Sequence, residues 1–348
     1  MEPDLISSWP NWLEPIVFIL ALVVGVFCLV KFCDIFVDGA SSLAKKCHIP
    51  PLIIGLTIVS IGTSCPELAV SVSDSISCLR NGGHAEIAIG NVLGSNICNS
   101  LIVLGFSCVF FPIVVRKTVI KRDFPVLLFV TGLLILFGLL FGLHSITGDY
   151  AIRRFEGIIF VICAILYVIL LIVDARRNPE QEVEDNEIKD MSGIKIFLSI
   201  VIGAAGVIIG GILVVFGAKG LAYKGASAMK LDEDLVKSLV GLTVVAVGTS
   251  LPELVTSVVA AKKGQNEMAL GNVIGSNIFN IVLILGISGT ISPLTTGSQV
   301  VVDLIVVGVA TLLVFIFALF GKLTRKHGII LLSMYAIYVT YLIIRTVM

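Results

Sequence analysis

Charged residues are scarce in this chain. Only 14% of its 348 residues are Asp, Glu, Lys or Arg, against roughly 25% in a soluble globular domain. Hydrophobic residues make up 57%, and the mean hydropathy is +1.07. This composition excludes an ordinary soluble domain and predicts a membrane protein. Basic and acidic residues balance at 24 each, so the net charge gives no reason to expect a nucleic-acid partner.

The sequence also lacks the residue patterns that are typical of redox, zinc and catalytic sites. The eight cysteines all lie in the first half without a CxxC pair, which predicts small buried apolar side chains. The four histidines have no regular spacing, whereas an intramembrane hydrolase needs a nucleophile and base or a metal cluster. We therefore expect no enzyme activity and no resident cofactor. The N-terminus has no basic stretch, so the first apolar run is expected to remain as a helix.

Apolar runs are abundant, and each is about as long as a membrane-spanning helix, roughly 20 residues. They predict an all-α polytopic membrane protein with ten transmembrane helices, at residues 14–38, 51–79, 86–114, 124–143, 154–173, 194–218, 234–261, 267–291, 299–320 and 327–346. The long polar stretch at 174–193 separates two five-helix halves, 1–173 and 194–348. It is interpreted as a linker; a regulatory calcium site is the alternative, but its acids lack the EF-hand pattern.

Basic residues in the loops indicate the orientation. With the linker in the cytoplasm, 15 Lys and Arg residues lie inside and eight outside. This bias predicts a protein of the plasma (inner) membrane with both termini outside and the central loop cytoplasmic.

The two halves repeat each other. Residues 55–72 and 241–258 are identical at 12 of 18 positions, with an offset of 186. Residues 86–105 and 267–286 are identical at 12 of 20, with an offset of 181. Two tandem repeats of five spans each must insert with opposite topology, which is the inverted-repeat architecture of secondary transporters.

The first repeated motif, GTSxPE, puts one carboxylate in the middle of an apolar run in each half. Glu67 and Glu253 each cost roughly 2.5–3.5 kcal/mol at the bilayer centre, so two of them indicate a function. A structural pair with Lys31, the one basic residue deep in an apolar run, could serve one glutamate but hardly both. Pro66 and Pro252 remove backbone donors and break their helices, which frees carbonyl oxygens.

The second repeated motif, GNVxGSNIxN, adds hydroxyl and amide oxygens at helical spacing. Four further asparagines in these motifs serve either helix packing or a minor coordinating role: Asn91, Asn96, Asn272 and Asn277. All candidate ligands are oxygens, which suit hard cations such as Ca²⁺ rather than zinc, copper or iron. Two carboxylates match the charge of one Ca²⁺, and Na⁺ ions could occupy the same oxygens in turn.

Together these motifs resemble the repeats of the sodium/calcium exchanger family, in its prokaryotic-type calcium/sodium antiporter form. The resemblance implies a monomer in the lipid bilayer that exchanges Ca²⁺ for Na⁺ by alternating access. It implies that the second, third, seventh and eighth of the ten predicted spans surround the site. The first and sixth predicted spans are expected to slide past them. The ion ligands that it implies are Glu67, Glu253, Thr63, Thr249, Ser64, Ser250, Ser60, Ala246, Ser95, Ser276, Asn99 and Asn280, with Ser60 and Ala246 acting through their backbone carbonyls.

Other readings stay open for the counter-ion. A Ca²⁺/H⁺ antiporter fits membrane carboxylates, but that branch usually has a Glu in the helix that here carries GNVLGSN and GNVIGSN. A K⁺-dependent Na⁺/Ca²⁺ exchanger commonly has Asp at the position of Asn280. Cys65 replaces the leucine found at Leu251 and is expected to pack, or to make the site sensitive to thiol reagents. A channel is disfavoured, because inverted repeats with broken helices suit alternating access.

Overall fold

The computed structural model describes six stretches of the chain: 12–81, 87–140, 150–177, 188–228, 246–296 and 300–347. Its main elements are helices, joined at two places by short strands. The helices of the first half are α1 (Leu13–Cys47), α2 (Pro51–Thr63), α3 (Cys65–Asn81), α4 (Ile87–Phe110), α5 (Phe124–Leu140) and α6 (Arg154–Arg177). Those of the second half are α7 (Gly193–Ala228), α8 (Ala246–Thr249), α9 (Leu251–Lys262), α10 (Asn266–Ile291), α11 (Val300–Leu319) and α12 (Arg325–Val347).

The protein is an all-α, multi-pass membrane protein. Within the described stretches, seven helices are long and apolar enough to cross a membrane, and the bent pair α2–α3 makes an eighth. The two other predicted spans border segments outside the described residues: α5 is followed by 141–149, and α8 is preceded by 229–245. Half of the predicted linker, at 178–187, also lies outside them, as does the start of the segment 241–258 that repeats residues 55–72.

Local sequence explains where several helices begin and end. Pro51 starts α2, where a missing N–H costs nothing. His48 ends α1 in the left-handed conformation (φ 53°), and its N–H caps the carbonyls of Ala44 and Lys45. Gly264 and Gly321 follow α9 and α11 with φ of 76° and 74°, a conformation that glycine adopts without strain.

The core is formed by α4 and α10. In their apolar windows 83% and 89% of residues are buried, against 22% for α6 and α12. The outer helices thus present exposed Ile, Leu, Val and Phe side chains to lipid, while α4 and α10 contact only protein over most of their length. The second repeated motif, GNVxGSNIxN, therefore sits on the helices that are most enclosed.

Helices α1 and α7 pack along each other at the side of this core. Their backbones touch at glycines: a Cβ on Gly210 would lie 2.8 Å from the Leu29 nitrogen, and one on Gly25 would lie 2.9 Å from the Gly210 oxygen. Lys263, just after α9, ties α1 to the core by contacting Asp38 at 2.7 Å and Asp34 at 3.2 Å.

Two antiparallel strand pairs join loops from different halves. β1 (Ile113–Val114) pairs with β4 (Lys322–Leu323). β2 (Tyr150–Ile152) pairs with β3 (Leu294–Thr296). These pairs were not predicted, because strands of two or three residues leave no alternation in the sequence.

Candidate cation-binding site

Both GTSxPE motifs break their helices at the same residue. Ser64 separates α2 from α3 with φ −85° and ψ 6°, and Ser250 separates α8 from α9 with φ −88° and ψ 5°. The axes of α2 and α3 differ by 50°. Proline follows two residues later in each case and cannot donate to the carbonyl four residues before it. The break itself therefore lies two residues before the proline, at a serine that was predicted to be an ion ligand.

The two glutamates lie just after these breaks and are fully buried, each 0% exposed. One oxygen of each carboxylate accepts a hydrogen bond from a serine. Ser64 Oγ donates to Glu253 Oε1 at 2.9 Å, across the two halves, and Ser95 Oγ donates to Glu67 Oε1 at 3.3 Å. The other oxygen, Oε2, has no hydrogen-bond partner in either glutamate.

No described lysine or arginine neutralises these carboxylates. Lys31, the residue considered for such a pair, is exposed. The acids one and two turns along its helix, Asp34 and Asp38, are engaged by Lys263. A buried, unpaired carboxylate is very costly, so a pair of them calls for a counter-charge that the side chains do not supply.

Four side chains from α4 and α10 were predicted to complete the site, and all four are at least 98% buried. Ser95 reaches Glu67, as described, and Ser276 Oγ donates to the Ser60 carbonyl at 3.5 Å. Asn99 has no partner for either amide atom, and Asn280 has none for its oxygen. Each asparagine begins a π-helical turn, Asn99–Val103 and Asn280–Leu285, a local widening that often marks a functional position.

The remaining predicted ligands differ in how free their oxygens are. The Ser60 carbonyl accepts from the Ser64 nitrogen at 3.0 Å in addition to Ser276, and Thr63 Oγ1 is shared among Val59, Ser60 and Asn272. Ser250 Oγ is buried without a partner. Thr249 is half-buried. Ala246 begins α8, and its side chain lies outside the described residues.

Four asparagines of the second motif make structural hydrogen bonds. Asn91 donates to the Glu67 carbonyl and Ser71 Oγ, and Asn272 makes the equivalent bonds to the Glu253 carbonyl and Ser257 Oγ. These matching contacts fix α4 against α3 and α10 against α9. Asn96 and Asn277 instead connect α4 directly to α10. In the sequence, the repetition of these asparagines in both halves was the feature that singled them out.

Glycines let α2 approach α10 closely. A Cβ on Gly275 would lie 2.6 Å from the Leu56 oxygen and 2.7 Å from Ser60 Oγ. A Cβ on Gly271 would lie 2.6 Å from the Leu52 oxygen. This contact brings Ser276 and the broken end of α2 within hydrogen-bond reach. The two glycines are four residues apart, the GxxxG spacing that lets helix backbones approach closely.

The unpartnered atoms have a common chemistry. Five of those on the predicted ligands are buried oxygens, in a protein interior where such groups normally find a partner: Glu67 Oε2, Glu253 Oε2, Ser250 Oγ, Asn99 Oδ1 and Asn280 Oδ1. Within the described residues, no group of three or more His, Cys, Asp or Glu could hold a metal ion. The arrangement therefore offers two carboxylates and neutral oxygens, a set suited to a hard cation.

Comparison with known proteins gives the family. The model for "Sodium/calcium exchanger protein" matches residues 17–173 and 202–344. The inner membrane protein YrbG of Escherichia coli K12 is 36% identical over 283 residues, 78% of this chain and 79% of its own length. The sodium/calcium exchanger MaX1 of Methanosarcina acetivorans is 31% identical over 354 aligned positions, covering 93% of this chain and 97% of its own.

A solved structure agrees with this assignment. The sodium-calcium exchanger NCX_Mj, soaked with Na⁺ and Sr²⁺, superposes with a TM-score of 0.75 at 31% identity, covering 93% of this chain and 98% of that chain. The matches extend over both halves and include both copies of each motif. The chain belongs to the sodium/calcium exchanger family.

Proposed function

We propose that this protein is a secondary active antiporter that exchanges Ca²⁺ for Na⁺ by alternating access. The observation that carries the proposal is the pair of fully buried carboxylates, Glu67 and Glu253, each with one oxygen lacking any protein partner. A divalent cation neutralises both and satisfies the free oxygens. Na⁺ ions compete for the same oxygens. When either Ca²⁺ or Na⁺ occupies the site, the protein can switch the access of the site from one membrane face to the other, whereas the empty, doubly charged site does not permit this switch.

We assign the site to twelve residues, six from each half. Glu67 and Glu253 are the charged ligands. The neutral oxygens come from Ser60, Thr63, Ser64, Ser95 and Asn99 in the first half and from Ala246, Thr249, Ser250, Ser276 and Asn280 in the second. No resident cofactor takes part: Ca²⁺ and Na⁺ are substrates.

We further propose ten transmembrane helices in two inverted repeats, at 1–173 and 194–348 with a linker at 174–193. The strand pairs support this. The loop that carries β1 in the first half corresponds to the loop that carries β3 in the second, at the same offset of 181 as the second motif. The loop that carries β2 likewise corresponds to the loop that carries β4. The β1–β4 pair thus becomes the β3–β2 pair. The nearly equal torsions at Ser64 and Ser250 support the same symmetry.

In the proposed topology the protein is a monomer of the plasma (inner) membrane, with both termini outside and the linker in the cytoplasm. The excess of lysine and arginine on the linker side supports this orientation. Five spans in each half then place the two motifs on oppositely directed helices, so that the breaks at Ser64 and Ser250 face each other at mid-membrane.

The deciding experiment is Ca²⁺ flux in proteoliposomes with imposed Na⁺, K⁺ or H⁺ gradients. Vesicles loaded with Na⁺ and diluted into Na⁺-free buffer should take up external Ca²⁺, and vesicles loaded with choline should not. Uptake driven by a pH gradient and not by Na⁺ would favour a Ca²⁺/H⁺ antiporter instead. A requirement for K⁺ on the Na⁺ side would identify a K⁺-dependent exchanger, which Asn280 disfavours.

A further inference from the structure

The two site amides, Asn99 and Asn280, occupy equivalent positions in the repeats but have different hydrogen-bond environments. Asn280 Nδ2 donates to Asn96 Oδ1 at 3.0 Å, while neither amide atom of Asn99 has a protein partner. The contact equivalent to Asn280–Asn96 would join Asn99 to Asn277, and both Asn99 Nδ2 and Asn277 Oδ1 are unpartnered. The symmetry of the site is therefore broken at its amides.

A backbone carbonyl sets the direction of the Asn280 amide. Asn96 contacts the Asn277 carbonyl oxygen at 3.1 Å, and a carbonyl can only accept, so the Asn96 atom there must be Nδ2. Its other atom is then Oδ1, which can only accept as well. Asn280 must present its NH₂ group to that oxygen, and its own Oδ1 must point elsewhere.

Asn99 has no comparable anchor because the equivalent position is used differently. Asn277 donates to Ser100 Oγ at 2.8 Å, and a hydroxyl can accept or donate, so it does not fix the polarity of an amide. The position that corresponds to Ser100 in the second half is Ile281, which offers no polar side chain. Asn96 is thereby left to bond the Asn277 backbone.

We propose that Asn96 is a positioning residue that locks the Asn280 amide with its oxygen available to the transported cation, while the Asn99 amide remains free to rotate. The proposal rests on the proposed function. A locked oxygen is a permanent ligand. If the amide turned over, its NH₂ group would face the cation, and a donor cannot coordinate a cation. Asn96 itself touches no ion and acts through Asn280.

The test is a double-mutant cycle. Asn96→Ala should raise the apparent KM for Ca²⁺ roughly 3- to 10-fold, the range of one lost hydrogen bond, with the maximal rate nearly unchanged. In an Asn280→Ser background the hydroxyl needs no amide orientation, so adding Asn96→Ala should change KM less than about twofold. If size-exclusion chromatography shows that the Asn96→Ala variant does not fold, Asn96→Ser is used in its place.

The matched control is Asn277→Ala, the equivalent asparagine of the other repeat. It removes the bond to Ser100 without touching the Asn280 amide. Its effect on KM should be the same whether residue 280 is Asn or Ser. Ca²⁺ binding to the purified protein gives the same comparison where a double variant transports too slowly.

Two results would overturn the proposal. One is an equal change in KM from Asn96→Ala in both backgrounds, which would mean that Asn96 only packs the helices. The other is no change in KM with Asn280 present. Failure of the proposed function is a separate result, since it would show as an absence of Na⁺-driven Ca²⁺ uptake in the unsubstituted protein.

Discussion

The close approach of α2 to α10 can be tested with one substitution at two glycines. Gly271 lies in the second motif on α10, and Gly132 is an exposed residue of α5. A Cβ on Gly271 would lie 2.6 Å from the Leu52 oxygen and 3.0 Å from the Leu56 nitrogen. A Cβ on Gly132 would meet no heavy atom within 4 Å among the described residues. Alanine should therefore be harmful at one position and tolerated at the other.

The structure gives the size of the effect. An ordinary contact begins at 3.4 Å, so α2 would have to move away by about 0.8 Å (3.4 minus 2.6). Such overpacking costs about 1–3 kcal/mol. Alanine also favours a helix over glycine by up to about 1 kcal/mol, but equally at both positions. The difference between the variants is therefore about 1–3 kcal/mol, with Gly271→Ala the less stable.

The site should respond to the same displacement. The Ser276–Ser60 hydrogen bond is already 3.5 Å long and would break if α2 moved by that amount. We expect Na⁺-driven Ca²⁺ uptake in Gly271→Ala to fall at least about fivefold, the equivalent of 1 kcal/mol, with a lower melting temperature in detergent. Gly132→Ala should keep both near normal. Equal behaviour of the two variants would refute the close packing of α2 on α10.

Three further predictions address the charge, selectivity and orientation of the protein. Glu67→Gln or Glu253→Gln should abolish Ca²⁺ uptake, whereas Glu14→Gln, which removes an ion pair to α7 away from the site, should retain it; near-normal uptake in either site variant would remove the assignment. Asn280→Asp should alter cation preference and admit K⁺, measured as K⁺-dependent Ca²⁺ uptake; unchanged selectivity would show that position 280 does not control it. Cys47, exposed at the end of α1, should react with an impermeant maleimide only after cells are permeabilised, and labelling of intact cells would reverse the topology.

Much of this molecule could be predicted from sequence because its constraints are local. Long apolar runs indicate membrane helices, and a Gly–Pro pair indicates a break within one. Because the motif is repeated, the sequence alone predicts two equivalent breaks, one in each half. Even so, the apolar run at 14–38 underestimated α1, which continues to Cys47, because polar residues at a membrane boundary extend a helix without adding hydrophobicity.

What could not be predicted depends on contacts between distant segments. Nothing near Asn96 indicates that its amide is anchored by the Asn277 carbonyl, 181 residues away. The different hydrogen-bond environments of Asn280 and Asn99 accompany one difference between the repeats, Ser100 in the first half against Ile281 in the second. The hydrogen bond between Cys33 and Thr256 at 3.2 Å left no sequence signal either.

The strand pairs have a consequence for how such a protein can be assembled from parts. Each pair takes one strand from either half, so neither half alone completes a pair, and each would expose two short unpaired edges. In the proposed inverted-repeat topology, a single five-helix unit would need both orientations in the same membrane to close these pairs. In that topology, the two halves produced as separate polypeptides would carry matching edges on both membrane faces, which would guide them into register.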